Sequence, residues 1–345
     1  MREGRLSEPI MKRSVLRQFT AKDGMPTGAV AATAATVKAG VKTGSDAAVV
    51  CTENGTCFAV AVSSYALESE KAAWFAVNAA VNRLAAAGAA VHADNPAITI
   101  SISLLLPKDF EETNLKKIMC TVDSACTQLH IQIADADVAV SRAVNTPVFQ
   151  VTAYGEIKSE NIFNKADVKA GQDIIVTKFI GLEGTAVLSI EKEEQLLKRY
   201  TGAFIHQAQS FVLYASVLGE AAVALRHGAT AMHAIQQGGI LGALRELAES
   251  CNIGLEADMK KIPIKQETVE ICEFFTYNPY QLISGGSLLI IAKDGYGLVR
   301  ELEKHGISAA VIGKVTDSND RVILRDDERR FIEHPQMDEI WKRRD

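Results

Sequence analysis

The sequence predicts a mixed α/β protein of two domains, the first rich in strands and the second alternating strands with helices. Three observations carry this. The chain has 345 residues, 48% of them hydrophobic and 23% charged, which is enough to bury two cores. Short β-branched runs recur between segments of helical period, with no repeat of solenoid length. A polar stretch over 159–171 separates the halves and reads as a linker. The expected domains are therefore 1–158 and 171–325, followed by a charged tail over 326–345.

In the first half, the opening segment reads as a short helix that begins near Ser7 and Pro9 and takes in 11–19. Residues 24–44, rich in Gly, Ala and Thr, carry little side-chain bulk and either pack tightly or stay mobile. Apolar runs over 47–51 and 57–62 flank Asn54-Gly55, a strong hairpin turn signal. Residues 71–87 are dominated by alanine without Gly or Pro, so a helix follows; Asn78 and Asn82 share one face of it, beside Arg83. Beyond it the pattern predicts a strand over 97–106, an amphipathic helix over 113–130, and strands over 131–139 and 147–156.

The second half opens with a strand over 173–180, the loop Gly181-Leu182-Glu183-Gly184-Thr185 and a helix carrying Glu191, Glu193, Glu194 and Lys198. A long helix over 204–226 stops at Gly228, and a strand over 230–233 runs into a polar turn, a glycine pair and a helix over 240–250. Asn278-Pro279 breaks a helix over 267–275. The run 282–292, with Ser284-Gly285-Gly286-Ser287 inside it, gives a turn and a buried strand. A helix over 296–305, a strand over 309–315 and a tail hairpin ending at Trp341 complete the chain.

The net charge of −5 and dispersed Lys and Arg supply no basic field for a phosphate backbone, so a nucleic-acid partner is not expected. No apolar run follows Arg2, Arg5, Lys12 and Arg13 as a secretory signal requires, and no segment reaches the roughly 18 apolar residues of a bilayer span. The expectation is a cytoplasmic protein without a membrane partner. Six cysteines form no CxxC pair, so free thiols are expected, although Cys51 and Cys57 flank the hairpin turn and could face each other.

The stretch from Met232 to Leu244 has a site's geometry. Gly238 and Gly239 let the backbone approach a ligand, and the following helix offers unpaired N–H groups that suit phosphate. It lacks acids, since Ala234, Ile235, Gln236 and Gln237 stand where metal-dependent phosphate chemistry would want them. His233 is a candidate base or ligand, or a satisfied strand-end histidine. Asp46, after Gly44-Ser45, is a candidate metal or catalytic group, or a turn residue. Asp135 and Asp137 alternate along one strand and so face one side, which makes them candidate metal ligands with Asp46. Glu183, between glycines at a helix start, is either a cap or a ligand.

Taken together, Gly44-Ser45-Asp46-Ala47-Ala48-Val49, residues Val81 to Ala89, Gly181-Leu182-Glu183-Gly184-Thr185, Met232 to Leu244, Ile283 to Leu289 and Ile312-Gly313-Lys314-Val315 resemble the aminoimidazole ribonucleotide synthetase superfamily. The nearest branch looks like the hydrogenase-maturation carbamoyl dehydratases. The resemblance runs through nearly the whole chain. It implies an N-terminal mixed-sheet domain whose strands close a barrel in a homodimer, a C-terminal α/β domain, and ATP as the ligand beside the barrel. Typical members phosphorylate a carbonyl-type oxygen, using Mg²⁺ held by carboxylates. The implied nucleotide- and phosphate-binding residues here are Asn82, Arg83, Gly181, Glu183, Gly184, Thr185, Gly238 and Gly239.

Acids depart from the family pattern at several places. Ser63-Ser64 replaces Thr-Asp, Asn82-Arg83 replaces Asn-Asp, and His233-Ala234-Ile235-Gln236-Gln237-Gly238-Gly239 replaces His-Asp-x-Thr-Glu-Gly-Gly. Asp135-Ala136-Asp137 moves acids of another motif, and Asn278-Pro279 replaces Asp-Pro. The C-terminal cysteine of the carbamoyl dehydratases is absent, as the chain ends Trp341-Lys342-Arg343-Arg344-Asp345. These losses argue against Mg²⁺ and for a ligand-binding or regulatory pseudoenzyme. The alternatives are an active enzyme with a metal site rebuilt from Asp46, Asp135 and Asp137, and an interaction subunit that pairs with an intact relative. Arg83 would repel a metal and pair with an anion, or else form a surface ion pair.

Overall fold

Alternation with period two decides the first sheet. The structure, a computed structural model, describes residues 10–15, 17, 35–39, 44–66, 69–89, 97–326, 328–333 and 337–342. Strands β1 (Ala35–Ala39), β2 (Ala48–Thr52), β3 (Cys57–Ala66), β4 (Ile98–Leu106), β5 (Gln132–Val140) and β6 (Val148–Ile157) lie in the order β1-β2-β3-β6-β4-β5. All pairs are antiparallel except β4 with β5. Ile98, Ile100, Ile102 and Leu104 of β4 and Phe149, Val151 and Ala153 of β6 point to one face and are buried. Helices α1 (Glu70–Leu84) and α2 (Glu112–Leu129) cover it. The Asn54-Gly55 hairpin forms as expected.

The second sheet runs β13-β12-β9-β11-β7-β10-β8. Its strands are β7 (Asp173–Thr177), β8 (Ala229–Ala234), β9 (Gly254–Asp258), β10 (Leu288–Ala292), β11 (Ala309–Thr316), β12 (Arg321–Arg325) and β13 (Glu328–Phe331). Only β9 and β12 pair in parallel, so both sheets are mixed. Every residue of β7 and β10 is buried, in keeping with the apolar Ile174-Ile175-Val176 of the first and the wholly apolar run of the second. Helices α3 (Leu182–Glu191), α4 (Glu193–Leu196), α5 (Gly202–Gln209), α6 (Leu218–Arg226), α7 (Gly239–Cys251), α8 (Gln266–Phe275) and α9 (Gly295–Lys304) accompany it. No single described helix is long and apolar enough to cross a membrane.

Helix α1 joins the halves. From one side of it, Trp74 Nε1 donates to Val212 O (3.3 Å) and Asn82 Nδ2 to Ala215 O (2.7 Å), while Val217 N donates to Asn82 Oδ1 (2.9 Å). Gln236 Nε2 reaches back to Ala79 O (3.0 Å). One apolar cluster accordingly runs from Ala59, Val77 and Leu84 to Val217, Met232 and Ile290.

Several expectations need correction. The single helix over 204–226 is broken into α5, a 3₁₀ turn over Ser210–Tyr214 and α6. The carbonyls freed at the break are taken by side chains, Tyr214 O and Ser216 O by Lys178 Nζ (3.0 and 2.6 Å) and Ala215 O by Asn82. Tertiary partners thus outbid helical propensity. Strands β1 and β9 were not expected, because neither Ala-Thr-Val-Lys-Ala nor Gly-Leu-Glu-Ala-Asp has enough bulk to announce itself. Cys51 and Cys57 are not free thiols. The hairpin register sets them opposite each other with Cα atoms 4.0 Å apart, and they form a disulfide. Of the expected first helix, Met11–Val15 is a π-helical turn, and most of 16–34 lies outside the described residues.

Replacing Asn82 by Ala strands a buried carbonyl and a buried N–H at the joint, and should cost about 2–4 kcal/mol of stability. Urea unfolding of the variant measures it, with Asn78→Ala, which loses only a bond to Trp74 O of its own helix, as the milder control.

Candidate functional site

Two buried polar clusters lie where the sequence placed its candidates. The first begins at Gly44, whose positive φ of 74° and closeness to α7 suit glycine alone, since a Cβ would meet Glu246 O at 2.2 Å. This approach delivers Asp46 to the end of β8. Asp46 Oδ1 accepts from Ala234 N (3.3 Å), and Oδ2 pairs with His233 Nδ1 (2.7 Å). The other ring nitrogen, His233 Nε2, pairs with Glu246 Oε2 on α7 (3.1 Å). Burial pushes the imidazolium down, but the charge and hydrogen bond of Asp46, followed by those of Glu246, outweigh it and raise the histidine to about 9. His233 is thus a charged residue held at both nitrogens, a poor proton acceptor at neutral pH.

The second cluster gathers around the two glycine-rich loops. Gly238 and Gly239 both have positive φ (84° and 60°), and a Cβ on Gly239 would meet Tyr280 O at 2.6 Å. Gly238 N, at the start of α7, donates to Asp338 Oδ2 (2.6 Å), and Ile283 N donates to Asp338 Oδ1 (3.1 Å). Nearby, Gly181 N donates to Ser284 Oγ (2.5 Å) and Gly184 N to Ile283 O (3.0 Å). Thr185 Oγ1 donates to Thr268 Oγ1 (2.9 Å). Glu183 is buried at the first turn of α3, where it accepts from Tyr65 Oη of β3 (3.1 Å) and from the Gly285 backbone. Burial, reinforced by the charge of Asp338, raises Glu183 to about 8, so it is mostly protonated at neutral pH. Burial likewise raises Asp338 to about 6 against the pull of its three backbone donors. The Tyr65 hydroxyl is pushed well above its ordinary value by burial and by Glu183.

The remaining candidates sit apart or are already engaged. Asn82 spends donor and acceptor on the joint with 215–217. Arg83 donates to the carbonyls of Val62 and Ser45 (3.2 Å for the latter), tying β3 to the loop before β2. Asp135 and Asp137 stand exposed on the edge strand β5, opposite Ser101 and Ser103 of β4. Asp46 leads into β2, four strand spacings away along the sheet, roughly 19 Å. The trio Asp46, Asp135 and Asp137 is therefore not assembled, and among the described residues no three His, Cys, Asp or Glu side chains converge to hold a metal ion. Sequence reasoning missed Tyr65, Glu246 and Asp338. Glu246 at i+13 from His233 and Asp338 in a charged tail gave no signal, because both are placed by tertiary packing alone.

Comparison with known proteins agrees with this architecture. The family model described as "AIR synthase related protein, N-terminal domain" matches residues 34–157, and its C-terminal counterpart matches 169–325. A putative hydrogenase expression/formation protein of Methanocaldococcus jannaschii is 28% identical over 253 residues, covering 72% of this chain and 71% of that protein. Among solved structures, a HypE–HypF complex superposes with a TM-score of 0.68 at 18% identity, over 85% of this chain and 94% of that one. Hydrogenase maturation protein HypE in complex with ATP gives 0.66 at 16% identity, over 82% and 87%.

Both buried clusters make stability fall as pH rises. The histidine is raised from 6.5 to about 9, so its contribution is complete below 6.5 and is lost as pH rises through 9, roughly 3 kcal/mol in all. Glu183, raised from 4.5 to about 8, loses its contribution over that lower window in the same direction. Denaturant midpoints from pH 5 to 10 should decline for the natural protein, decline less steeply below pH 8 in Glu183→Gln, where the histidine still contributes above 6.5, and decline less steeply between 6.5 and 9 in His233→Gln, where Glu183 still contributes up to 8.

Proposed function

The chain belongs to the AIR synthase related protein family, and on that premise we propose that it binds a phosphate-bearing ligand such as ATP and turns it over very slowly, as a ligand-binding or regulatory member of the hydrogenase-maturation-like branch. The observation that carries the reading is the commitment of Asp46 to His233. Asp46 neutralises a buried imidazolium, and Ala234 and Gln237 supply no acid in the turn itself. Arg83, bonded to two backbone carbonyls, adds positive charge rather than a metal ligand. The residues present do not fit a resident Mg²⁺, because hard-cation sites need several converging oxygen ligands. Glycine turns at helix starts still suit an anion, and a structural relative holds ATP.

A second observation favours self-association. On the face of the first sheet away from α1 and α2, Val37, Phe58, Val62, Val148 and Tyr154 are 36–47% exposed, an apolar surface that soluble monomers rarely leave bare. A homodimer closed through these strands would bury it. Pairing with an intact relative would use the same face.

Calorimetric titration with ATP, with and without Mg²⁺, followed by a phosphate-release assay, tests the first reading. Binding should be weak or independent of Mg²⁺ with negligible release, and micromolar Mg²⁺-dependent binding with steady turnover would overturn it. For the dimer, light scattering should give twice the chain mass and Phe58→Glu should give the monomer; a monomeric natural protein rejects the homodimer.

A further inference from the structure

Helices α1 and α2 lie side by side over the first sheet, and a hollow of about 320 Å³ opens between them. Helical spacing builds its two banks. On α1, Lys71 and Trp74 are one turn apart, and on α2, Lys117, Cys120 and Thr121 fall at i, i+3 and i+4, with Lys116 beside them. Both sets face one groove, well separated in the chain from the glycine-rich loops.

The groove carries a charge opposite to that of the protein. The chain as a whole is −5, yet no acid lines this hollow, and three ammonium groups flank it, one on the first bank and two on the second. Among the described residues Lys71 and Lys117 form no ion pair. Lys116 pairs with Glu112 one turn back on its own helix (2.7 Å), with the two side chains 71% and 77% exposed, a bond that gives way readily to a stronger anion. Cations gathered around a hollow without a balancing acid focus a positive field into it. The wall between them is aromatic. Trp74 is half-buried, and its Nε1 donates to Val212 O (3.3 Å), which holds the indole in one place. A ring fixed in advance lowers the cost of packing a second flat ring against it. The volume is that of a small-ligand site, at the lower end of the roughly 300–1,000 Å³ such sites occupy.

We propose that the groove between α1 and α2 binds a small planar anion, an aromatic ring bearing a phosphate or a carboxylate. The ring lies against Trp74, and the charged group sits between Lys71 on one bank and Lys116 and Lys117 on the other. The Thr121 hydroxyl supplies a neutral donor beside them. This site is independent of the nucleotide reading above, because it shares no residue with the glycine turns.

The test uses the full chain with 1-naphthyl phosphate and 1-naphthoate as probes, and inorganic phosphate, 1-naphthol and hexaglutamate as controls. Binding is measured by calorimetry. Occupancy of the groove is read from Cys120, an exposed free thiol in its lining, as the rate of alkylation by uncharged iodoacetamide located by mass spectrometry. At least one naphthyl anion should bind about tenfold more tightly than inorganic phosphate or naphthol, and should slow Cys120 alkylation several-fold. Which of the two does so assigns the charged group. Lys71→Ala combined with Lys117→Ala should weaken that binding about tenfold, with thermal melting and the ATP titration unchanged. Raising salt from about 0.05 to 0.5 M should weaken it as well. Naphthol protecting Cys120 as well as the anions do, or affinity unchanged in the lysine variant, overturns the proposal. So does binding that leaves Cys120 unprotected, or no binding by either naphthyl anion. Protection by hexaglutamate alone makes the groove a docking surface for an acidic protein segment and likewise overturns it.

Discussion

The structure depends on a charge taken out of water. Asp46 belongs to the first half of the chain, His233 and Glu246 to the second, and the imidazolium between them is buried with both its nitrogens bonded. Removing either acid would strip one buried ring nitrogen of its hydrogen-bond partner, a larger loss than a surface pair could cause. The same contact aligns the loop before β2 with the end of β8, which in turn fixes the glycine turn that follows β8. Geometry and chemistry are therefore set by one interaction: both oxygens of Asp46 are engaged at the end of β8, by His233 Nδ1 and the Ala234 amide.

Much of the architecture was readable from the sequence. Asn54-Gly55 specified its hairpin through turn chemistry, the alanine-rich run specified α1, and strands were expected over 173–180 and, as a buried one, within 282–292, where β7 and β10 lie. These signals are local. The break between α5 and α6 is not, because Lys178 and Asn82, which hold it open, come from distant parts of the chain. Strand β9 likewise exists through its neighbours β11 and β12 rather than through its own composition.

The site was legible in its parts and not in its wiring. Gly238, Gly239, Gly181 and Glu183 do lie together around the two glycine-rich loops, as the motif residues suggested. Arg83 could be seen as a cation standing at an acid's position, but only the structure reveals that its guanidinium holds two backbone carbonyls. Whether a side chain faces a ligand or its own backbone is settled by a few ångströms of packing, which no spacing rule encodes. The neutral carboxyl of Glu183 is a further case, since its protonation follows from burial and from the charge of Asp338, against the hydrogen bond from Tyr65, rather than from its neighbours in sequence.

Strand β5 offers a different lesson. It is the outermost strand of its sheet, exposed along all nine residues, with Ile133, Val138 and Val140 open to solvent. An edge of this kind is a template on which further strands could pair without limit. Asp135 and Asp137 interrupt it at its centre with two negative charges on one face. A copy of the same strand laid alongside would bring four carboxylates together. The two acids that looked like metal ligands thus place like charges at the centre of an open edge, where they oppose the approach of an identical strand.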